Sequence, residues 1–373
     1  ADRSLMFDAA DWSYHNPVRI ECAPLETLAK HVRGQHVLLV TTPGFVKRGV
    51  AKRVQEILLQ SKVTVWDGVK PNPDLQDIDV VTQQLQGLGV DTVVGLGGGS
   101  ALDAAKILGL TLPSLAHPTL VKIFRDNVIP NWSPNLPVVA IPTTSGTGAE
   151  VTPFATIWDH TAHKKYSLSG SNVYPSLALL DPTLTLTLPE EETMNTGLDA
   201  CSHALESLWN HNRSPVSIVF AMQALSGVVN ALPRILLRPD DLSARARMQE
   251  SSLLAGLAIS HTRTAIAHGI SYPVTSYLGI PHGLACSFTL PHLLDWSLPL
   301  LVADGLDEGL LNKVLAMLHS LRLDCRMAKY ATPAQVLALQ DSMVTKGRSE
   351  NFRYALPDDL NALLSLSLKG VHG

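Results

Sequence analysis

The stretch Asp91-Thr-Val-Val-Gly-Leu-Gly-Gly-Gly-Ser100, which continues as Ala101-Leu-Asp-Ala-Ala-Lys106, decides the fold. The apolar run predicts a buried strand, and the continuation predicts a helix with Ser100 as N-cap and Asp103 in a capping-box position. Glycines at such a turn let the backbone approach a phosphate. The third glycine of the usual dinucleotide fingerprint would fall on Ser100, so we predict a phosphate or pyrophosphate site of another kind. A tight turn without a ligand is the alternative.

Similar apolar runs occur elsewhere in the first half of the chain. His36-Val-Leu-Leu-Val-Thr41, Val63-Thr-Val-Trp66 and Val138-Val-Ala-Ile141 are typical of strands, and Val46–Leu59 has a helical pattern. Strands that alternate with helices favour right-handed βαβ units and a parallel sheet. We therefore predict an α/β N-terminal dinucleotide-binding domain with a parallel sheet over residues 1–181.

Strand patterns become scarce after Asp181-Pro182, which we predict as the domain boundary. Helical periodicity, punctuated by prolines, dominates the second half. The segments that carry it are Glu190–Asn210, Ser217–Leu236, Leu242–Ser260 and Glu308–Leu321. Because 373 residues exceed the usual size of one core, a second, all-α domain over residues 182–373 is expected.

A second polar loop, Pro142-Thr-Thr-Ser-Gly-Thr-Gly-Ala-Glu150, follows the predicted strand at Val138–Ile141. Its hydroxyls and flexible glycines suit a ribose, an amide or a phosphate. Such loops are also common surface turns. Ligands of open α/β sheets bind at the carboxyl ends of the strands, where both glycine loops are expected.

Asp199 and His203 are four residues apart in a helical stretch, so they share one face and can reach one ion. A surface hydrogen bond is the alternative for this pair alone. His268 and His282 lie in apolar or shaped surroundings and complete a set of one carboxylate and three imidazoles. Such a set suits one divalent Fe²⁺ or Zn²⁺ rather than Mg²⁺ or Ca²⁺.

These residues, taken together, resemble the iron-containing (group III) alcohol dehydrogenases, which share a fold with dehydroquinate synthase. The resemblance runs from about residue 15 to the C-terminus and is specific in combination. The matching motifs are Pro71-Asn72-Pro73, Gly97-Gly-Gly-Ser-Ala-Leu-Asp103, Pro142–Glu150, Asp199-x-x-x-His203, and His268 followed by Pro281-His282-Gly283.

The resemblance implies a cleft between the two domains, an all-α metal-binding C-terminal domain and a homodimer. It also implies hydride transfer between NAD or NADP and a metal-bound aldehyde or alcohol. The implied metal ligands are Asp199, His203, His268 and His282. The positions implied to hold the cofactor are Gly98, Gly99, Ser100, Asp103, Thr143, Thr144 and Thr147, with Asn72 and Lys165 on the cofactor side.

Two positions depart from the family. Thr42 stands where NAD-preferring members carry an aspartate, and Lys47 and Arg48 lie nearby, so NADPH is allowed and modestly favoured. Tyr272 stands where many members carry a histidine thought to relay protons. With an ordinary pKa near 10, a tyrosine can donate a proton but is a poor base near neutral pH.

Three residues near the predicted metal ligands are candidates for substrate binding. Arg263, with His261 and Tyr272, would form an anion pocket beside the metal if the segment faces it, and a solvated surface arginine is the equal alternative. Tyr14-His-Asn-Pro-Val18 and Leu205-Glu-Ser-Leu-Trp-Asn210 resemble a subgroup associated with phosphonate metabolism. That likeness implies reduction of phosphonoacetaldehyde to 2-hydroxyethylphosphonate.

Composition and charge bear on nucleic-acid binding, on localisation and on the state of the cysteines. A net charge of −4 without a basic cluster argues against nucleic-acid binding. The opening residues lack the pattern of a secretion signal, and no apolar run of membrane-spanning length is evident, so a cytoplasmic protein is expected. The four cysteines are widely spaced and are expected to be buried free thiols.

Three rival functions stay open at this stage. One is a dehydrogenase of a simple uncharged alcohol, of the butanol or propanediol type. Another is a lyase resembling 3-dehydroquinate synthase, which would need more basic groups around its substrate. The third is a non-catalytic metal- or nucleotide-binding protein, which has no need for the ligand set and both loops together.

Overall fold

The computed structural model describes residues 11–113, 117–344, 348–354 and 360–369, and the opening residues that bear on a secretion signal lie outside them. Contacts divide the chain into two compact units. The α/β unit is Asn16–Thr144 with Ala149–Thr187, and the helical unit is Leu188–Gly373 with Ser145–Gly148 and Ala1–His15, as far as these are described. The division falls a few residues after the predicted boundary, and the return of Ser145–Gly148 was not expected.

The α/β unit is built on a six-stranded, entirely parallel sheet in the order β1-β8-β5-β4-β2-β3. The strands are β1 (Arg19–Cys22), β2 (His36–Val40), β3 (Lys62–Trp66), β4 (Thr92–Gly97), β5 (Val138–Pro142) and β8 (Leu177–Leu180). Strands β2, β4, β5 and β8 are wholly buried, which agrees with their continuous apolar runs. The predicted parallel sheet is confirmed.

The helices of this unit are α1 (Leu28–His31), α2 (Pro43–Lys47), α3 (Val50–Ile57), α4 (Leu75–Leu85), α5 (Gly99–Thr111) and α6 (Leu120–Arg125). An antiparallel hairpin of β6 (Phe154–Asp159) and β7 (Lys164–Ser169) stands apart from the main sheet. The sequence analysis did not predict the hairpin, because Lys164–Ser169 is polar and only its Leu168 is buried.

The helical unit contains α7 (Glu190–Leu208), α8 (Pro215–Leu237), α9 (Leu242–Thr262), α10 (Ile266–Leu278), α11 (His282–Ala285), α12 (Leu290–Ala303), α13 (Glu308–Ser320), α14 (Leu323–Met327), α15 (Pro333–Leu337) and α16 (Leu360–Ser367). Side-chain caps explain several starts, since Ser214, Asp241 and Asp307 each accept a hydrogen bond from the first turn that follows. An α/β unit followed by a helical unit confirms the predicted fold class.

Helix α8 corrects one expectation about membranes. Its 23 residues are long and apolar enough to cross a bilayer by length and composition, although we expected no such segment. Its buried face, which includes Ala224, Leu225 and Val228, belongs to the core of the helical unit. Packing of this kind is what the core helix of a globular domain shows, and it accounts for the apolar composition.

Candidate metal centre and nucleotide loops

Asp199 and His203 lie one turn apart on α7, and both side chains are buried. The Nε2 atom of His203 is 3.4 Å from Oδ1 of Asp199. The helix therefore presents a carboxylate and an imidazole on one face, as their spacing predicts.

His268 on α10 and His282 at the start of α11 bring two more imidazoles to the same carboxylate oxygen. Their Nε2 atoms are 3.4 and 3.6 Å from Oδ1 of Asp199. The rings of His203 and His268 stack at 4.8 Å, and that of His282 meets His268 edge-on at 5.3 Å. Three imidazoles and one carboxylate, carried by three helices, thus converge on one point within the helical unit.

Glu206, on α7, orients this group from outside, and the sequence analysis missed it. Its carboxylate is fully buried and accepts hydrogen bonds from the backbone N–H groups of Ala265, Ala267 and His268 at 2.9, 2.6 and 3.3 Å. It also lies 2.6 Å from Nδ1 of His268. Because Nδ1 donates to Glu206, the opposite nitrogen of His268 faces Asp199 and is left for a metal.

The residues present fit a divalent transition metal. The Nε2 atom of His268 is buried and makes no hydrogen bond with any described residue. Burial alone would raise the pKa of the Asp199 carboxyl, but the three imidazoles hold it well below its ordinary value. Burial lowers the pKa of His203. Burial also acts to lower the pKa of His268, but the Glu206 and Asp199 carboxylates raise it above its ordinary value. A carboxylate with imidazole nitrogens that release their protons when a metal binds is the donor set that Fe²⁺ and Zn²⁺ take.

Cys286 is a further group at this centre that the sequence analysis missed. Its Sγ atom lies 3.4 Å from Oδ1 of Asp199, and its ligand atom falls within 4.8 Å of those of Asp199, His268 and His282. Burial raises the pKa of this thiol well above its ordinary value, so it stays protonated and donates to the carboxylate. The four-residue spacing from His282 in a helical stretch was the available signal. Two other cysteines, Cys22 and Cys325, are exposed rather than buried as expected.

The glycine turn after β4 is tighter than predicted. Helix α5 begins at Gly99 with Gly98 as its N-cap, so Ser100 is inside the first turn and does not cap the helix. Gly97 has φ of 155°, and a Cβ atom there would meet that of Ala101 at 2.7 Å. Only glycine fits this backbone. The turn thereby directs the first N–H groups of α5 out of the helix end, as an anion site requires.

Several predicted cofactor residues gather around this turn in the α/β unit. Ser100 Oγ accepts a hydrogen bond from the backbone N–H of Asn72 at 3.3 Å, and Thr143 N–H donates to the Gly97 carbonyl at 3.0 Å. A Cβ atom on Gly98 would lie 3.1 Å from the methyl group of Thr144, so these two loops are in close contact.

Asp103 and Lys165 connect α5 to the β6–β7 hairpin. The Asp103 carboxylate accepts a hydrogen bond from the N–H of Thr156 at 2.9 Å instead of closing a capping box. Burial raises its pKa, against the opposing charges of Lys106 and Lys165. The Lys165 ammonium also lies over the Trp158 ring, 5.5 Å from its centroid. Both residues therefore lie near the glycine turn.

Two further predicted cofactor threonines follow β2 and β5, the strands that flank β4. Thr42 is the extended N-cap residue of α2, and its carbonyl accepts from Phe45 N–H at 3.1 Å. The nearby Arg48 guanidinium stacks on the Phe45 ring at 4.5 Å. Thr147 belongs by its contacts to the helical unit, within Ser145–Gly148.

The segment Ser145–Gly148 packs closely on two helices of the helical unit. The Gly146 carbonyl is 3.2 Å from Nδ1 of His203, so it fixes the orientation of that imidazole. Gly148 has φ of 62°, and a Cβ atom there would meet Cα of Gly256 on α9 at 2.5 Å. The loop backbone, α7 and α9 therefore form one packed body.

The expected anion pocket of Arg263, His261 and Tyr272 is corrected by the structure. Arg263 is exposed at the end of α9 with φ of 63°, and His261 packs its ring at 5.7 Å from that of Tyr14. The guanidinium over the Tyr272 ring belongs to Arg348, at 4.3 Å from the ring centroid. Burial raises the pKa of Tyr272. The sequence offered no signal for Arg348, because it lies 76 positions away along the chain (348 − 272).

Two models of known protein families match the chain. Residues 17–182 match the family described as iron-containing alcohol dehydrogenase, and residues 193–364 match its C-terminal counterpart, the Fe-containing alcohol dehydrogenase family, C-terminal. The chain therefore belongs to the iron-containing alcohol dehydrogenases and is an oxidoreductase. This confirms the family resemblance and the enzyme class predicted from the sequence.

Within this family, the chain is similar to reductases of small anionic aldehydes. The chain is 36% identical over 270 residues to phosphonoacetaldehyde reductase of Streptomyces viridochromogenes, covering 71% of this chain and 68% of the relative. It is 33% identical over 264 residues to sulfoacetaldehyde reductase of Bilophila wadsworthia, covering 70% and 67%. The solved sulfoacetaldehyde reductase from Bifidobacterium kashiwanohense, in complex with NAD⁺, has a TM-score of 0.85 at 26% identity, covering 97% of this chain and 99% of that one. A nicotinamide dinucleotide and a metal are thus supported as cofactors.

Proposed function

We propose that this enzyme reduces a small aldehyde to its alcohol, with phosphonoacetaldehyde as the substrate and 2-hydroxyethylphosphonate as the product. The observation that carries the reaction class is the convergence of three imidazole nitrogens on Oδ1 of Asp199. The likeness to a phosphonoacetaldehyde reductase supports the substrate. Sulfoacetaldehyde is a second candidate, because a sulfoacetaldehyde reductase shares a similar degree of identity.

The proposed metal ligands are Asp199, His203, His268 and His282, and the ion would be Fe²⁺ or Zn²⁺ according to supply. When bound, such an ion supplies Lewis-acid polarisation of a carbonyl. Asp199 provides the negative charge, while Glu206 and the Gly146 carbonyl hold the rings of His268 and His203 in place. These two buried contacts fix the imidazole rings before substrate binds, so little reorganisation is needed during the reaction.

The proposed dinucleotide site uses the residues gathered at the glycine turn. Gly98, Gly99 and Ser100 would bind the diphosphate through the N-terminus of α5. The other positions proposed to contact the cofactor are Thr42, Asn72, Asp103, Thr143, Thr144, Thr147 and Lys165. The nicotinamide supplies hydride. With Thr42 in place of a carboxylate and Arg48 nearby, we propose that NADPH is accepted as well as NADH.

Tyr272 is the proposed proton donor to the product oxygen. It lies on α10 one turn after His268, and its raised pKa keeps the hydroxyl protonated at neutral pH. A protonated phenol can donate a proton in the reduction, but it serves poorly as a base for the reverse reaction. As in the resembling family, a homodimer is the expected assembly.

The test is steady-state turnover of an aldehyde panel with NADH and NADPH by enzyme loaded with Fe²⁺ or Zn²⁺. We expect steady oxidation of the cofactor with phosphonoacetaldehyde, and no turnover and no bound metal in Asp199→Asn. Glu191→Gln, an exposed change on the same helix, is the control and should keep both. Full turnover by the metal-free Asp199 variant would contradict the metal role, and cofactor that is not consumed would favour a lyase.

A further inference from the structure

Arg348 is a half-buried cation that packs on an aromatic ring. Its guanidinium lies over the Tyr272 ring at 4.3 Å. Among the residues that the structure describes, no carboxylate forms an ion pair with it. A half-buried guanidinium in this state is a ready binding group for an anion from outside the protein.

The segment that follows Arg348 is fixed to the helical unit. Asn351 donates from Nδ2 to the Thr264 carbonyl at 2.9 Å and accepts from the N–H of His211 at 2.8 Å. Arg353 N–H donates to the Trp209 carbonyl at 2.9 Å. These contacts tie the chain to the start of α10 and the end of α7. Arg348 is thereby placed by a folded scaffold.

Tyr272 places this cation close to the metal centre. It is four residues after His268 on α10, so the two side chains lie on one face about one helical turn, or ~5.4 Å, apart. A short aldehyde whose oxygen lies at the metal ligands would extend its second carbon and head group over a distance of this order. Tyr272 would then lie between the carbonyl end and the charged end.

We propose that Arg348 is the residue that selects an anionic aldehyde, by binding two oxygens of a tetrahedral phosphonate or sulfonate. A guanidinium lying on an aromatic face keeps its N–H edge in plane and free for a bidentate contact. This inference rests on the proposed function of the metal centre. Arg263, which the sequence favoured, is exposed and has no comparable platform.

The experiment compares Arg348→Ala and Arg348→Lys with Arg263→Ala on three aldehydes. These are phosphonoacetaldehyde, sulfoacetaldehyde and 3,3-dimethylbutanal, which is a neutral analogue of similar shape. Loss of charged hydrogen bonds predicts that Arg348→Ala raises KM for the preferred anionic aldehyde about 10- to 100-fold. The KM for 3,3-dimethylbutanal should change less than about threefold. Arg348→Lys should recover part of the loss, and Arg263→Ala should behave as wild type.

Other outcomes separate this inference from the proposed function. Equal KM changes for charged and neutral aldehydes, or a larger effect of Arg263→Ala, would overturn the role of Arg348 and leave the reductase intact. A wild-type enzyme that reduces no aldehyde would overturn the proposed function itself. If Arg348→Ala does not fold, Arg348→Gln takes its place. Competitive inhibition by 2-hydroxyethylphosphonate, measured with 3,3-dimethylbutanal as substrate, then also tests whether Arg348 binds the anionic group. The anion that loses more affinity identifies phosphonate or sulfonate as the natural group.

Discussion

Glu206 orients the candidate metal centre through its contacts with His268 and the start of α10. It is fully buried, it receives three backbone N–H groups at the start of α10, and it holds Nδ1 of His268. Groups that orient a metal-bound histidine in this way contribute strongly to affinity. The charge of Glu206 also offsets the charge of a bound cation.

We predict that Glu206→Gln lowers metal affinity about 10- to 100-fold, because the amide removes the charge and leaves a mismatched donor beside the His268 ring. Chelator competition followed by metal analysis measures the effect. Glu192→Gln, an exposed change on the same helix, should bind metal as wild type does. An unchanged metal affinity in the Glu206 variant would show that the ring is held by packing alone.

Some pairs of site residues are spaced by one helical turn, and the sequence predicts them. Pairs that meet only through tertiary contacts could not be predicted from it. Asp199 and His203 were found because four residues make one turn. Glu206 lies on the same helix, but its partners at Ala265–His268 come from a different element. Arg348 reaches Tyr272 only through the docking of a distant segment, which no local pattern encodes.

At the scale of an element, the glycine turn between β4 and α5 was predicted in part. The sequence predicted a strand, a turn and a helix, and all three are present. The start of the helix was placed too late, because a φ of 155° at Gly97 closes the turn before Ser100 is reached. The β6–β7 hairpin was missed because most of its second strand is polar and half-buried or exposed.

We predict that Gly97→Ala raises the Kd for the nicotinamide dinucleotide at least about tenfold while the metal content stays the same. The added Cβ atom would meet that of Ala101 at 2.7 Å and push the turn away from its anion-binding shape. Titration of cofactor fluorescence and metal analysis provide the two measurements. All four proposed metal ligands lie in the helical unit, whereas Gly97 lies in the α/β unit. We therefore expect the metal content to stay the same when cofactor affinity falls.

Gly170→Ala is the matched control for backbone strain. Gly170 has φ of 149°, close to that of Gly97, but an added Cβ atom would have no neighbour within 4 Å. Its variant should lose only the thermal stability that backbone strain accounts for, less than Gly97→Ala loses, and should bind the dinucleotide normally. If both variants lose cofactor affinity equally, general strain rather than the shape of the turn is responsible.

At the scale of the whole molecule, the buried carboxyl of Glu150 beside Lys106 makes the folding free energy depend on pH. Burial raises the pKa of Glu150 from 4.5 to about 7 and lowers that of Lys106 from 10.5 to about 8. Between pH 4.5 and 7 the folded chain keeps a proton on Glu150 that the unfolded chain has lost. Stability therefore falls as pH rises through this window, whereas Lys106 remains protonated in both states.

We predict that the free energy of unfolding of the wild type, relative to Glu150→Gln, falls by about 2 kcal/mol between pH 5 and 8. Denaturant unfolding at both pH values measures this difference. Glu250→Gln, an exposed change on α9, should reproduce the wild-type slope. A Glu150 variant with the wild-type slope would show that the carboxyl is ionised in the folded state throughout this range.

The Gly146 carbonyl that orients His203 leads us to propose a coupling between the two proposed binding sites. Thr147, proposed to touch the dinucleotide, is covalently next to that carbonyl, and both belong to the packed body of α7 and α9. Any shift of this backbone on cofactor binding would be felt by the metal ligand. The two affinities are then coupled, and the coupling is reciprocal: the factor by which metal changes the cofactor's Kd equals the factor by which cofactor changes the metal's.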